Sequence, residues 1–133
     1  MMRTVDIEPH RDVRPAFTHA ARVISGVQTH GEAIVLNVEG DIGLATAPQV
    51  TEVVVAILER RPRVVVVDLS GAGFLSSAGL AALVDLHRRA APDTRFRVVA
   101  KEPTVLRPLE ISGLTDLLTV RPTLDDALAA DEG

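Results

Sequence analysis

The stretch Val64-Val65-Val66-Val67-Asp68-Leu69-Ser70-Gly71-Ala72-Gly73-Phe74-Leu75-Ser76-Ser77-Ala78-Gly79-Leu80 decides the fold. Val64 to Leu69 is built on an unbroken β-branched run. A strand with one wet face alternates apolar and polar residues, so a run without alternation predicts a strand buried on both faces, as in a sheet with parallel pairing. Ser70 to Ser77 reads as a small-residue loop leaving that strand. The serine pair then opens a helix whose buried face carries Leu80, Leu83 and Val84, ending near Pro92. A buried strand followed at once by an amphipathic helix is the repeating unit of a layered α/β domain.

The flanking sequence extends this pattern in both directions. On the N-terminal side, Thr46-Ala47-Pro48-Gln49 predicts a helix start. Threonine at the N-cap with glutamine three positions on forms a capping box, and an early proline is tolerated in the first turn. Val50, Val53, Val54, Ile57 and Leu58 then form one apolar stripe at helical spacing, and Arg60-Arg61-Pro62 stops it. Further upstream, Ala20 to Val27 and Ala33 to Val38 read as two strands joined through a turn around His30-Gly31, with Gly40-Asp41-Ile42-Gly43 breaking the second. On the C-terminal side, Phe96 to Ala100 is a strand and Val105 to Ile111 a short helix closed by Gly113. Leu117 to Val120 is a last strand, and Thr123-Leu124-Asp125-Asp126 opens a final helix with a capping-box pattern. The order ββαβαβαβα predicts a mixed sheet of about four to five strands with about four helices packed on it through right-handed crossovers. Residues 1–15 are charged, contain two prolines and show no periodicity, and read as a mobile tail ahead of one domain over residues 16–133.

Bulk properties narrow the function. The chain of 133 residues suits one domain with a substantial core, and at 2% aromatic content that core must be filled by Val, Leu, Ile and Ala. A net charge of -4 argues against direct nucleic-acid binding, which needs a basic patch, and leaves room for a basic partner. The absence of cysteine excludes disulfides, thiolate chemistry and cysteine-based metal sites. No apolar run approaches the roughly 20 residues of a membrane-spanning helix, and the N-terminal residues lack the apolar core of a signal peptide, so a cytoplasmic location is expected.

The chemistry-bearing segment is Asp68 to Leu80. The first amides of a helix lack internal partners and lie at the positive end of its dipole. A serine there has two readings. The bland one is that Ser77 only caps the helix, as serine does in many proteins; the other is that a serine there accepts phosphate, presenting a near-dianion to those free amides and changing surface charge with little movement of the backbone.

Asp68-Leu69-Ser70, Phe74-Leu75 and Ser77-Ala78-Gly79-Leu80 resemble the signature of STAS domains, and specifically of bacterial anti-sigma factor antagonists. Gly40-Asp41-Ile42 with Leu44-Ala45-Thr46-Ala47-Pro48, and Leu109-Glu110-Ile111-Ser112-Gly113-Leu114, are similar to two further family segments in the same order. The resemblance covers roughly Ala20 to Ala130. It implies a protein that binds an anti-sigma factor with ATP-dependent serine kinase activity and so frees a sigma factor. It places the phosphoacceptor at Ser77, with Ser76 the second candidate, and makes a PP2C-type phosphatase the enzyme that reverses the modification. The nucleotide belongs to the kinase, so no cofactor and no metal are expected of this chain, which would be a monomer or weak homodimer and not an enzyme. The implied partner-binding face comprises Asp41, Leu44, Thr46, Ser70, Gly73, Phe74, Ser76, Ser77 and Gly79. Two positions depart from the family pattern: Ser76 stands where Asp commonly precedes the phosphoacceptor, and Gly43 where a second acidic residue is frequent. These departures support an alternative, a STAS scaffold or sensor module that is never phosphorylated.

Enzymatic readings fail on spacing. Gly71-Ala72-Gly73 follows a strand, but the third glycine of a dinucleotide fingerprint would fall at Ser76. There is no phosphate-loop motif, and the sole lysine, Lys101, lies elsewhere. A hydrolase elbow would need glycine where Leu75 stands. Asp85 and His87, two apart on one helix, diverge instead of forming a relay with Ser77. His10, His19 and His30 lack metal-ligand spacing. A phosphoaspartyl receiver would use Asp68 and Lys101 but also an acidic pair after its first strand, which is missing; Asp68 is expected to satisfy loop amides at its strand end. Arg88 and Arg89 read as a solvated helix face.

Overall fold

The hairpin at the start of the domain shows why its residues take the shapes they do. In the computed structural model, which describes residues 23–130, strand β1 (Ile24–His30) turns through Gly31-Glu32 into β2 (Ala33–Ile42), with His30 opposite Ala33. Gly31 adopts φ 60, a backbone that only glycine takes without strain. The proposed tail over residues 1–15 and the first residues of the predicted Ala20 to Val27 strand lie outside the described residues.

Strands β3 (Val64–Leu75), β4 (Arg95–Val99) and β5 (Thr119–Arg121) complete a sheet in the order β1-β2-β3-β4-β5, in which only the β1–β2 pair is antiparallel. The helices are α1 (Ala47–Leu58), α2 (Ser77–Ala90), α3 (Pro103–Ile111), α4 (Leu114–Leu117) and α5 (Leu124–Ala129). The fold class is therefore as predicted, α/β with a mixed five-stranded sheet, and it carries one more helix than the predicted order. The addition is the single turn Leu114–Leu117, which forms because Gly113 at φ 80 reverses the chain after α3 and lets the Leu118 amide bond to the Leu114 carbonyl at 2.8 Å. This turn displaces the last strand from the predicted Leu117 to Val120 to Thr119–Arg121.

Alternate strand residues face opposite ways. Leu36, Val38, Val65, Val67, Phe96 and Val98 join the main core with α1, α2 and α3, while Val35, Val66 and Val99 meet Ala127 of α5 on the other face. Both faces of β3 are thus covered, which is what its unbroken valines require. On α1 the buried stripe is Ala47, Val50, Val54 and Ile57, close to the predicted one. On α2 it is Gly79, Leu83, Leu86 and Ala90, so the helix is rotated from the predicted Leu80-Leu83-Val84 face, and Leu80 and Val84 are half-buried flanks.

The small-residue segment Ser70 to Leu75 is not a loop. It continues β3, and β2 runs on past Gly40 to Ile42 to pair with it. The register slips twice, between Asn37/Glu39 and between Gly40/Asp41, each time by one extra residue on β3. Small side chains are needed because the bulged strand lies hard against β2: a Cβ on Gly71 would sit 2.9 Å from Glu39 Cγ and 3.2 Å from the Val38 carbonyl.

At the far end of the sheet, α1 closes through Arg60-Arg61, and Arg61 is the one described non-glycine residue with positive φ, at 53. An L-residue held there costs about 1–2 kcal/mol that glycine would not incur.

Candidate functional site

The C-terminal ends of β2 and β3 bring the predicted residues together. The Ser76 amide donates to the Ile42 carbonyl at 3.0 Å, which fastens the entrance of α2 to the Asp41–Thr46 turn. Within that turn the buried Thr46 hydroxyl donates to the Asp41 carbonyl at 2.8 Å and accepts from the Gly43 amide at 2.9 Å. Its oxygen is committed to the turn, so the predicted Thr46–Gln49 capping box does not form: α1 has no side-chain cap, and Gln49 Oε1 instead accepts from the Val23 amide at 3.4 Å.

At the serine pair the cap falls on the first residue. Ser76 is extended (φ -84, ψ 176), and its hydroxyl accepts from the Gly79 amide at 3.3 Å. Ser77 is the first helical residue, is exposed, and its hydroxyl makes no hydrogen bond to any other described residue. The capping reading of Ser77 is corrected accordingly: the extended backbone that caps require belongs to Ser76. Gly79 is buried because α2 crosses the strand ends at contact distance. A Cβ there would meet Leu75 Cδ1 at 2.5 Å and the Ile42 carbonyl at 3.1 Å.

Around Ser77 the surface is apolar with an acidic margin. Leu44 is 83% exposed and Phe74 50%, both large for side chains this open to water. Asp41 is exposed, pairs in register with Phe74, and holds its carboxylate over Gly73, where a Cβ would lie 2.9 Å from Oδ1. Gly43 faces Ser76, with the position of a Cβ 4.0 Å from the Ser76 hydroxyl, so the two departures from the family pattern are spatial neighbours.

Ser70 is the exception. It lies six residues before the Ser76 cap, on the sheet face opposite α1 and α2, in a small polar recess with Ser25, Gln28, Asn37 and Asp68. Asp68 Oδ1 accepts from the Ser70 amide at 2.9 Å and from its hydroxyl at 2.6 Å, so it does satisfy a nearby amide, but from within β3 and not at a strand end as expected.

The site also has a part that the sequence reading did not include. A groove of about 650 Å³ runs from Leu44 between α1 and α2, walled by Ala47 and Pro48 on one side and Ala78, Ala81 and Ala82 on the other, with Glu52 and Asp85 at its margin. The spacing of Ala78, Ala81 and Ala82, a small-residue stripe beside the buried one in which Ala81 is exposed and the other two half-buried, was the available signal.

Among the described residues no helix is long and apolar enough to cross a membrane. Residues 25–127 match the model of the STAS domain. The chain is 33% identical over 107 residues to the anti-sigma-F factor antagonist RsfB of Mycobacterium tuberculosis, covering 80% of this chain and 88% of that protein. It is similar to the crystal structure of an anti-sigma factor antagonist from Mycobacterium paratuberculosis, with a TM-score of 0.74 and 37% identity over 77% of this chain and 87% of the other. A more distant structure from Thermotoga maritima, at 16% identity, shares the fold alone with a TM-score of 0.72 over 77% and 90% of the two chains. With most of its described sheet and helices inside the matched region, this chain belongs to the STAS domain family.

Proposed function

We propose that this chain is an anti-sigma factor antagonist that docks on an anti-sigma factor with serine kinase activity, releases a sigma factor, and is switched off by phosphorylation of Ser77. The observation that carries this reading is the exposed Ser77 hydroxyl, which bonds to no other described residue and directly precedes Ala78 of the α1–α2 groove that Leu44 also lines, with Phe74 open to water three residues earlier. The likeness to RsfB, an anti-sigma-F factor antagonist by name, supports it.

Docking would bury the groove, Leu44, Phe74 and the α2 entrance, and gain its energy from apolar area removed from water. A phosphate on Ser77 would add nearly two negative charges beside Asp41 and in the path of that apolar contact. Repulsion and desolvation then both oppose the complex. The modification leaves the Ser76 cap in place, so the domain itself stays folded. Asp41, Leu44, Thr46, Gly73, Phe74, Ser76, Ser77 and Gly79 form or support this face in the proposal, with Ser70 at a distance from it. A PP2C-type phosphatase would reset the switch. The proposal places the protein in the cytoplasm, as one domain over residues 16–133 preceded by a tail, acting as a monomer or weak homodimer without a cofactor.

A second reading, a STAS scaffold that is never phosphorylated, is favoured by one observation: neither Gly43 nor its neighbour Ser76 carries a charge beside Ser77. The two readings separate on incubation with ATP and a candidate anti-sigma kinase, followed by mass spectrometry and a binding assay. The switch reading expects one phosphate on the wild type, none on Ser77→Ala, and loss of binding by the modified form. If both proteins bind the kinase and both stay unmodified, the scaffold reading stands and the switch is wrong.

A further inference from the structure

Thr46 lies under the candidate docking face but is only 6% exposed, so its hydroxyl serves the chain and no partner directly. It donates to the Asp41 carbonyl at 2.8 Å and accepts from the Gly43 amide at 2.9 Å. The Gly43 N–H belongs to the same peptide unit as the Ile42 carbonyl, and that carbonyl accepts from the Ser76 amide at 3.0 Å. A peptide unit is planar and stiff, so its two ends move together. One continuous run of bonds therefore leads from the Asp41 carbonyl, through the Thr46 hydroxyl and the Ile42–Gly43 peptide, to the Ser76 amide. Bonds chained in this way polarise and strengthen one another.

Two further observations single out this run. Thr46 stands at the N-cap position of α1, where threonine ordinarily stabilises the helix by bonding a first-turn amide, yet its hydroxyl is committed to the turn and α1 goes without a side-chain cap. Ile42 is also what the first turn of α2 rests on: a Cβ on Gly79 would lie 3.0 Å from Ile42 Cγ2 and 3.1 Å from the Ile42 carbonyl. The Ile42–Gly43 peptide thus leads along the chain into the exposed Leu44 and holds, across space, the backbone of the residue before Ser77.

We propose that Thr46 is a positioning residue for Ser77: its hydroxyl fixes the plane of the Ile42–Gly43 peptide, and with it the offset between Leu44, on which a kinase docks, and Ser77, on which it acts. This rests on the phosphorylation reading given above. In the transfer step the Ser77 oxygen bonds to the γ-phosphorus of ATP, the bond to ADP breaks, and the hydroxyl proton leaves to a base of the kinase. The step is sensitive to placement, since an error of about 1 Å at the attacking atom slows a reaction by about a hundredfold. A kinase seated on Leu44 and the groove meets a Ser77 hydroxyl already in place while the run of bonds is intact. Without the Thr46 hydroxyl, the peptide is free to tilt, and docking and attack no longer coincide.

The test compares the full-length wild type with Thr46→Val, which keeps the shape and removes the hydroxyl, and Thr46→Ser, which keeps the hydroxyl. Thr123→Ala, at the α5 cap, controls for lost stability alone. Hydrogen exchange followed by NMR reads the run of bonds directly: relative to Val66, the Ser76 amide should exchange about tenfold faster in Thr46→Val and at close to the wild-type rate in Thr46→Ser. Phosphorylation by ATP and the candidate anti-sigma kinase reads its use. Thr46→Val should lower kcat about tenfold and change KM by less than about threefold, Thr46→Ser should restore kcat, and Thr123→Ala should leave both constants unchanged whatever its Tm. Thr46→Cys, whose thiol bonds weakly, should fall between and takes the place of the valine variant if that one does not fold. Unchanged exchange at Ser76 would overturn the proposal without reference to any kinase. So would a wild-type kcat in Thr46→Val, a loss that Thr123→Ala reproduces, or no rescue by Thr46→Ser. A wild type that takes no phosphate would instead sink the switch reading itself, and the role of Thr46 towards Ser77 with it, even where exchange at Ser76 responds.

Discussion

Two adjacent serines at the start of α2 have the same side chain and different work. Ser76 holds the helix through the Gly79 amide, and Ser77 faces water without a partner among the described residues. Removing the first hydroxyl leaves an orphan amide in the first turn, so Ser76→Ala should lower the unfolding free energy by about 1 kcal/mol, while Ser77→Ala should stay within about 0.5 kcal/mol of wild type. Equilibrium denaturation of the two variants measures both, and a reversed order would reassign the cap. The sequence alone could place a hydroxyl at the helix entrance but could not choose between neighbours, because the choice rests on which residue takes the extended backbone. Thr46 shows the same limit from the other side. Its motif was correct for a cap, yet its hydroxyl is taken by the Asp41 carbonyl and the Gly43 amide of a turn that only the folded chain creates.

At the scale of elements, periodicity identified the strands and helices whose burial is simple. The valines of β3, the stripe of α1 and the cap of α5 all stand where the pattern put them: the Thr123 hydroxyl accepts from the Asp126 amide at 3.1 Å. The continuation of β3 through Ser70-Gly71-Ala72-Gly73 was hidden, because small residues signal a loop locally and a bulged strand only when a neighbour presses on them. Helix α5 has 6 residues, too few to persist without help, and depends on its cap and on Ala127 packing over Val35, Val66 and Val99. We expect Thr123→Ala to cost about 1 kcal/mol in chemical denaturation. An unchanged midpoint would show that packing alone holds the helix.

For the whole molecule, the sheet is centred on β3, yet its two halves are held differently. Val64 to Asp68 has partners on both sides, in β2 and β4, whereas Gly71 to Leu75 is paired only with β2. Opening of the second half breaks one ladder and not two, so native-state hydrogen exchange should be faster at Phe74 and Leu75 than at Val65, Val66 and Val67. Equal protection along the strand would mean that α3, which packs on β3, secures that half as firmly as a strand does. This asymmetry puts the more adaptable half of the central strand next to the candidate docking face and the firmer half beneath the core.

The separation of Ser76 from Ser77 has a further consequence in terms of repeated use. On the proposed reading, phosphate is added and removed at a hydroxyl that supports nothing, while the hydroxyl that anchors α2 stays in its bond throughout. Each cycle then ends with the domain as it began, with no helix to re-form. The number of cycles the protein can serve is set by the kinase and the phosphatase, and not by wear on its own structure.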